Sequence, residues 1–103
     1  MLTPALTTDG IEQALRFLHP LSAHDSETNS ELMQTLRAYL DADGSTTKTA
    51  ATLFIHRNSL SYRLNRIGEL LGVSLHTLEG KTACTVALAV GDMHGSDAGA
   101  ANR

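Results

Sequence analysis

The amino-acid sequence predicts an all-α fold, a small bundle of four or five short helices. Apolar residues recur every three or four positions through most of the chain, the spacing of one face of an α-helix. Residues that begin or end helices bound most of these stretches. No segment shows the apolar and polar alternation of a strand. With 103 residues, the chain can bury one modest core.

Composition excludes several classes of protein. The single cysteine, Cys84, rules out an internal disulfide and a multi-cysteine zinc site, and it fits a reducing cytoplasm. No stretch approaches the roughly 20 apolar residues of a membrane span. The N-terminus lacks the basic and apolar regions of a signal peptide. We therefore expect a cytoplasmic protein with no membrane partner.

Residues 1–30 are predicted to form a lead-in helix and a linker. The helix is expected from about Asp9 to Leu18, where apolar residues recur at helical spacing. Pro20 should end it, because the residue before a proline avoids the helical region. The polar stretch 19–29 is therefore predicted to be turn-like.

The second helix has start and stop signals of its own. Thr28-x-x-Glu31 is a capping-box pattern just before an apolar run. The apolar stripe extends from Leu32 to Leu40. Gly44 can adopt a positive φ, and the helix is predicted to end before it.

A short helix and a longer one follow. Ser45 and Thr46 are both capable N-caps for a third helix of about eight residues. After a tight break, the fourth helix is predicted from Arg57 to Leu71, and Gly72 ends it. A short helix, a turn of about three residues and a longer helix together predict a helix-turn-helix.

The fourth helix is predicted to have one buried and one polar face. Leu60, Leu64 and Ile67 fall on one side at helical spacing. Four side chains that can hydrogen-bond lie roughly opposite, at 100° per residue; they are Asn58, Ser61, Tyr62 and Asn65. Such a helix fits the major groove of DNA, where amides and hydroxyls can bond to base edges.

The charge is unevenly distributed. The net charge is −3. Residues 1–43 carry two basic and seven acidic side chains, and residues 69–103 carry two and four. Residues 44–68 carry four basic side chains and no acidic one. This central block favours a nucleic-acid partner, and a solvated helix face is the alternative interpretation.

We predict two groups of contacts with double-stranded DNA at an operator or promoter. Hydroxyls, an ammonium and backbone amides at the start of the third helix suit a phosphate; these residues are Ser45, Thr46, Thr47 and Lys48. The second group lies on the fourth helix and comprises Arg57, Asn58, Ser59, Ser61, Tyr62, Arg63, Asn65 and Arg66.

Alternatives remain for individual members of this set. Arg63 lies close to the apolar stripe, so it can instead pack its stem and pair with an acid. Tyr62 can be a partly buried surface aromatic. Lys48 and Asn65 can be solvated surface residues.

A last helix is predicted from about Glu79 to Val90. Residues 91–103 are rich in glycine and alanine and are predicted to be a disordered C-terminal tail. The helix-turn-helix DNA-binding domain is thus expected to span residues 31–90.

Three strings in this span carry a resemblance to a known family. They are LMQTLRAYLDADG, TAATLFIHRNSLSYRLNRIGELLGV and, in the closing helix, ACTVALAV. They resemble the C-terminal DNA-binding domain of the PucR/CdaR family of bacterial transcription regulators, and the preceding LHPLSAHD resembles that family's lead-in. The helix pair is also similar to Fis-type helix-turn-helix modules.

The resemblance implies the output domain of a metabolite-responsive regulator. It also implies an upstream sensor region that these residues lack, so we expect the C-terminal piece of a longer protein. Two positions depart from the pattern. Phe54 stands where such modules often have glycine and is expected to fill the core. His56 stands where they often have Ser or Asn, which are stronger caps.

No enzyme, cofactor or metal site is predicted. The five histidines include no pair three or four apart on one helix, and no glycine-rich phosphate loop precedes a helix. The alternative to DNA binding is a helical protein-interaction or dimerisation module, which the negative net charge favours. A homodimer is compatible with either, because one short helix reads few base pairs.

Overall fold

The computed structural model describes the backbone of residues 8–101 and the side chains of residues 9–93. Within residues 8–101 the chain is helical, without strands, as the sequence predicts. The helices are α1 (Thr8–Thr28), α2 (Leu32–Asp41), α3 (Thr46–Leu53), α4 (Arg57–Leu71) and α5 (Leu78–Ala101). Among the described residues, none of the helices combines the length and apolar content that a bilayer crossing needs.

One core joins α1, α2, α4 and α5. Its fully buried side chains include Leu21, Leu36, Leu60, Ile67 and Cys84. Burial raises the pKa of the Cys84 thiol to about 11, so this thiol stays protonated near neutral pH. The core fixes which face of α4 remains available to a partner.

α1 continues through Pro20, so the prediction that this proline ends the helix was wrong. An interior proline costs a helix about 3 kcal/mol. Ala14, Leu18 and Leu21 are buried at helical spacing on both sides of it. Their packing offsets the cost, and the stretch predicted to be turn-like is helical as far as Thr28.

The predicted capping box does not form. Thr28 is the last residue of α1, and its hydroxyl donates back to a carbonyl of that helix. Glu31 is the N-cap of α2 but makes no side-chain capping bond. Instead, the Asp25 carboxylate accepts hydrogen bonds from the backbone N–H groups of Leu32 at 3.0 Å and Met33 at 2.8 Å. The cap of α2 therefore comes from α1.

The predicted signals around α3 and α4 are confirmed. Ser45 caps α3, and its Oγ accepts from the Lys48 N–H at 3.2 Å. α4 has the predicted bounds, with Gly72 at its end at φ 71°. Gly44, which follows α2, has φ 80°.

Phe54 does not fill the core, contrary to the prediction. It follows α3 with φ 56° and is 94% exposed. The left-handed backbone directs its side chain outward, and the next residue, Ile55, packs against the core instead. The turn thus adopts the conformation that glycine usually supplies, with a phenylalanine in it.

α5 is longer than predicted. It was expected to end near Val90, but it continues to Ala101. Arg37 on α2 donates two hydrogen bonds, of 2.8 and 2.7 Å, to the Asp92 carboxylate, and alanine near the end favours helix. The structure thus continues α5 through residues 91–101, which were predicted to belong to a disordered tail; residues 102 and 103 lie outside the described part.

Candidate nucleic-acid interface

α4 presents a polar outer face opposite its buried one. Leu60, Leu64 and Ile67 are buried, as predicted. The polar residues Asn58, Ser59, Ser61, Tyr62 and Asn65 are exposed. The first half of this face carries no carboxylate, so it can approach DNA without repelling phosphates.

His56 begins α4 effectively although it is not a preferred cap. Its backbone is extended, and its Nδ1 accepts a hydrogen bond from the Asn58 N–H at 3.0 Å. This bond satisfies one of the N–H groups that a helix start leaves unpaired. The side chains of Arg57 and Asn58 are both exposed at this end. The N-terminus of α4, which is predicted to enter the groove, is thus capped and exposed.

Arg63 contacts α2. Its Nη1 donates to the Thr35 hydroxyl at 3.1 Å and lies 3.9 Å from a Glu31 carboxylate oxygen. Thr35 is fully buried, and its hydroxyl donates to the Glu31 carbonyl oxygen at 2.8 Å. The structure therefore supports the alternative in which Arg63 packs its stem and pairs with an acid, and the contact fixes the orientation of α4 against α2.

Arg66 points along the outer surface. Its Nη1 donates to the Glu69 carboxylate at 3.2 Å, and both side chains are partly exposed. Exposed pairs of this kind are weak, so the guanidinium remains available to a stronger anion. Glu69 places a carboxylate on this surface, beside a predicted DNA-contacting residue.

The start of α3 is only partly open. Thr47 and Lys48 are exposed, while Ser45 and Thr46 are half-buried. The Ser45 Oγ already accepts the capping bond. Lys48 supplies the positive charge of this group.

A cleft of about 900 Å³ separates the polar face of α4 from the end of α1 and the turn into α2. The α4 wall includes Asn58, Ser59, Tyr62, Arg63 and Arg66. The opposite wall consists of residues that sequence reasoning missed: His24, Thr28, Asn29, Ser30, Glu31 and Leu32. No local pattern could have found this wall, because it depends on the continuation of α1 past its proline.

The opposite wall is held together by side-chain hydrogen bonds. The Ser30 hydroxyl donates to the Asp25 carboxylate at 3.0 Å and lies 3.1 Å from His24 Nδ1. Within the part of the chain whose side chains are described, no group of three His, Cys, Asp or Glu could hold a metal ion. The wall is thus a hydrogen-bonded polar surface beside α4, with one exposed carboxylate, that of Glu31.

Comparison with known proteins identifies this architecture. Residues 32–90 match the family described as the PucR C-terminal helix-turn-helix domain. The chain belongs to this family. The matched span contains α2, α3, α4 and the first half of α5, whereas α1 lies before it.

Several bacterial proteins are similar in sequence. The uncharacterized protein in the pkwA 5′ region of Thermomonospora curvata is 43% identical over 88 residues, 84% of this chain and 48% of that protein. The proline-responsive transcriptional activator PutR of Bacillus subtilis is 36% identical over 78% of this chain and 21% of its own length. The carbohydrate diacid regulator of Escherichia coli is 39% identical over 74% of this chain and 20% of its own length. No solved structure matches.

The chain spans about half the length of the first of these relatives and about a fifth of the other two. By their names, one of the last two relatives is a transcriptional activator and the other is a regulator. This PucR-type helix-turn-helix domain is therefore similar to one part of those proteins.

Proposed function

We propose that this domain binds double-stranded DNA sequence-specifically, as the output domain of a bacterial transcription regulator. The observation that carries the proposal is the outer face of α4, which is polar, exposed and free of carboxylates in its first two turns. An α-helix of this kind fits the roughly 12 Å width of the major groove.

The position of each side chain along α4 suggests its contact. The first turns of a recognition helix usually enter the groove deepest, so Asn58 and Ser61 are assigned to base edges. Arg57 contacts a base or a nearby phosphate. Asn65 and Arg66 contact the groove wall, with Arg66 leaving Glu69 for a phosphate oxygen.

The remaining predicted residues flank these contacts. Ser59 and Tyr62 line the cleft, and Tyr62 is 70% exposed, which favours a contact over partial burial. Arg63 contacts α2 through Thr35 and also lines the cleft. The start of α3, from Ser45 to Lys48, is assigned to a phosphate.

The longer protein is proposed to respond to a small metabolite through a region upstream of this domain. The names of two relatives support this proposal: one is a proline-responsive activator and the other is a carbohydrate diacid regulator.

Binding titrations of Asn58→Ala test the assignment. After selection of a preferred DNA site, the substitution should cost on the order of 1–3 kcal/mol at that site. It should cost much less on random DNA, where binding is mostly electrostatic. Gln34→Ala, which removes an exposed amide from α2, is the matched control and should bind both DNAs like the unaltered chain.

The melting curve separates function from folding, because Asn58 is exposed and alanine favours helix. An equal loss on both DNAs would assign Asn58 to the DNA backbone instead of a base. If the chain bound no DNA, or if binding barely changed with salt, the alternative of a helical protein-interaction module would replace the proposal.

A further inference from the structure

The outer face of α5 carries an uncharged, largely apolar seam. Leu78, Thr82, Val86, Ala89 and Met93 follow at intervals of four, four, three and four residues, so they share one face of the helix. All five are exposed. Leu78 is 78% exposed and Met93 is 56% exposed. The other face of α5 packs into the core, and a helix that is apolar on both faces is normally buried on both.

A groove lies on each side of this α5 seam. One, of about 380 Å³, separates α5 from α1, and the other, of about 240 Å³, separates α5 from the turn after α2. Thr82 and Val86 line both grooves and form the ridge between them. Helices pack by inserting the ridges of one into the grooves of another. A surface that has both features can therefore pack against itself about a two-fold axis.

We propose that the α5 seam pairs antiparallel with the α5 seam of a second copy of this chain. The seam contains no charge, so two copies meet without like-charge repulsion. Antiparallel pairing about the seam's midpoint brings Lys81 of each copy within about one helical turn of Asp92 of the other. Arg37 of the same copy already binds that carboxylate, so Lys81 would join an existing ion pair at the edge of the seam. The pairing itself does not depend on DNA binding. Only the role of the dimer, which is to present two recognition helices, rests on the proposed function.

The size of the surface fits a weak dimer. Sixteen residues of helix extend about 24 Å, and with both grooves the strip is roughly 20 Å wide, or about 500 Å² on each copy. Two such strips reach the ~1,000 Å² at the lower limit of specific interfaces. We therefore expect a dimer that dissociates reversibly at micromolar concentrations.

A second copy also leaves the candidate DNA surface open. None of the residues that line the two grooves lines the cleft beside α4. Helix-turn-helix dimers bind two half-sites about one helical turn of DNA apart, so an operator read by this domain would contain two related half-sites.

Sedimentation equilibrium of the 103-residue chain without DNA tests the pairing directly. The expected result is a reversible monomer–dimer equilibrium between about 5 and 500 µM. Val86→Glu places two carboxylates at the centre of the seam and should weaken dimerisation at least tenfold. Leu78→Ser is a milder second variant, because an exposed side chain can be shortened without disturbing the core.

Phe54→Ser is the matched control. Phe54 is even more exposed than Leu78 but lies in the turn between α3 and α4. It should leave dimerisation unchanged, whereas general adhesion between apolar surfaces would make it act like Leu78→Ser. A chain that is monomeric over the whole concentration range, or seam variants that dimerise normally, would overturn the proposal even if the chain binds DNA.

Cross-linking tests the antiparallel register. Val86 lies at the midpoint and should be adjacent to its own counterpart, whereas the two copies of Leu78 should lie about 24 Å apart along the helix axis. A short bis-maleimide should therefore link Val86→Cys into dimers far more efficiently than Leu78→Cys. Native Cys84 is buried and should not react. Equal cross-linking of both variants would contradict antiparallel pairing.

Discussion

Replacing Phe54 by glycine should stabilise the domain. Phe54 has a left-handed backbone, which costs an ordinary residue roughly 1–2 kcal/mol. The side chain is 94% exposed. Of the ~200 Å² that a phenylalanine can bury, about 12 Å² is therefore buried, worth ~0.3 kcal/mol. The greater freedom of unfolded glycine costs a further 0.5–1 kcal/mol or so. We expect a net gain of roughly 0.5 kcal/mol, because the relief of strain exceeds both losses.

The assay is denaturant unfolding of Phe54→Gly beside Phe54→Ala. Alanine removes the ring but keeps the Cβ atom and hence the backbone strain. It should change stability by less than about 0.5 kcal/mol. The difference in unfolding free energy between the two variants is the relief of the left-handed backbone less the entropy cost of glycine, without any contribution from the ring. If both variants lost more than ~1 kcal/mol, the ring would be packed against the protein in solution and the reasoning would be refuted.

Three further predictions concern charge. Lys48→Ala should weaken binding to all DNA sequences alike and lower the slope of log K against log salt concentration by about one. Arg16→Ala on α1 is the control. An unchanged slope for Lys48→Ala would make Lys48 a solvated surface residue. Glu69→Gln should strengthen binding to any DNA roughly two- to fivefold, because Arg66 loses its competing carboxylate; Glu12→Gln is the control, and equal gains would indicate only an effect of net charge. The Arg37 guanidinium lowers the pKa of Asp92. The pair therefore contributes stability above the ordinary carboxyl pKa of about 3.9, and this stability is lost as the pH falls through the lowered pKa. The melting temperature should fall more steeply with acid in the unaltered chain than in Asp92→Asn, and parallel curves would contradict this.

Local signals predicted the helix-turn-helix well. α4 lies between a tight turn and Gly72, and its leucine stripe alone determines which face is buried. The polar face then follows from helical geometry, without knowledge of the rest of the fold. This is why the burial of Leu60 and the exposure of Asn58 could be predicted together.

The errors have tertiary causes. Pro20 is a helix-ending signal that the packing of Leu21 overrides. Thr28 matches a capping pattern but is the last residue of α1, and Asp25 instead accepts from the Leu32 and Met33 N–H groups at the start of α2. Arg63 stays a predicted DNA contact, and its hydrogen-bond partner Thr35 lies 28 positions away on α2. None of these partners can be inferred from neighbouring sequence.

The hydrogen bonds from α2 to Asp25 imply that the span matched by the family model differs from the span that folds as one unit. The family match begins at residue 32, but the carboxylate that completes the first matched helix lies seven positions earlier. A fragment starting at residue 31 would lose this acceptor and also the apolar side of α1, including Leu18 and Leu21. The smallest piece that melts in one cooperative step is therefore expected to be larger than the span 32–90 that the family model matches. Limited proteolysis should therefore leave α1 intact and attached to the rest of the domain.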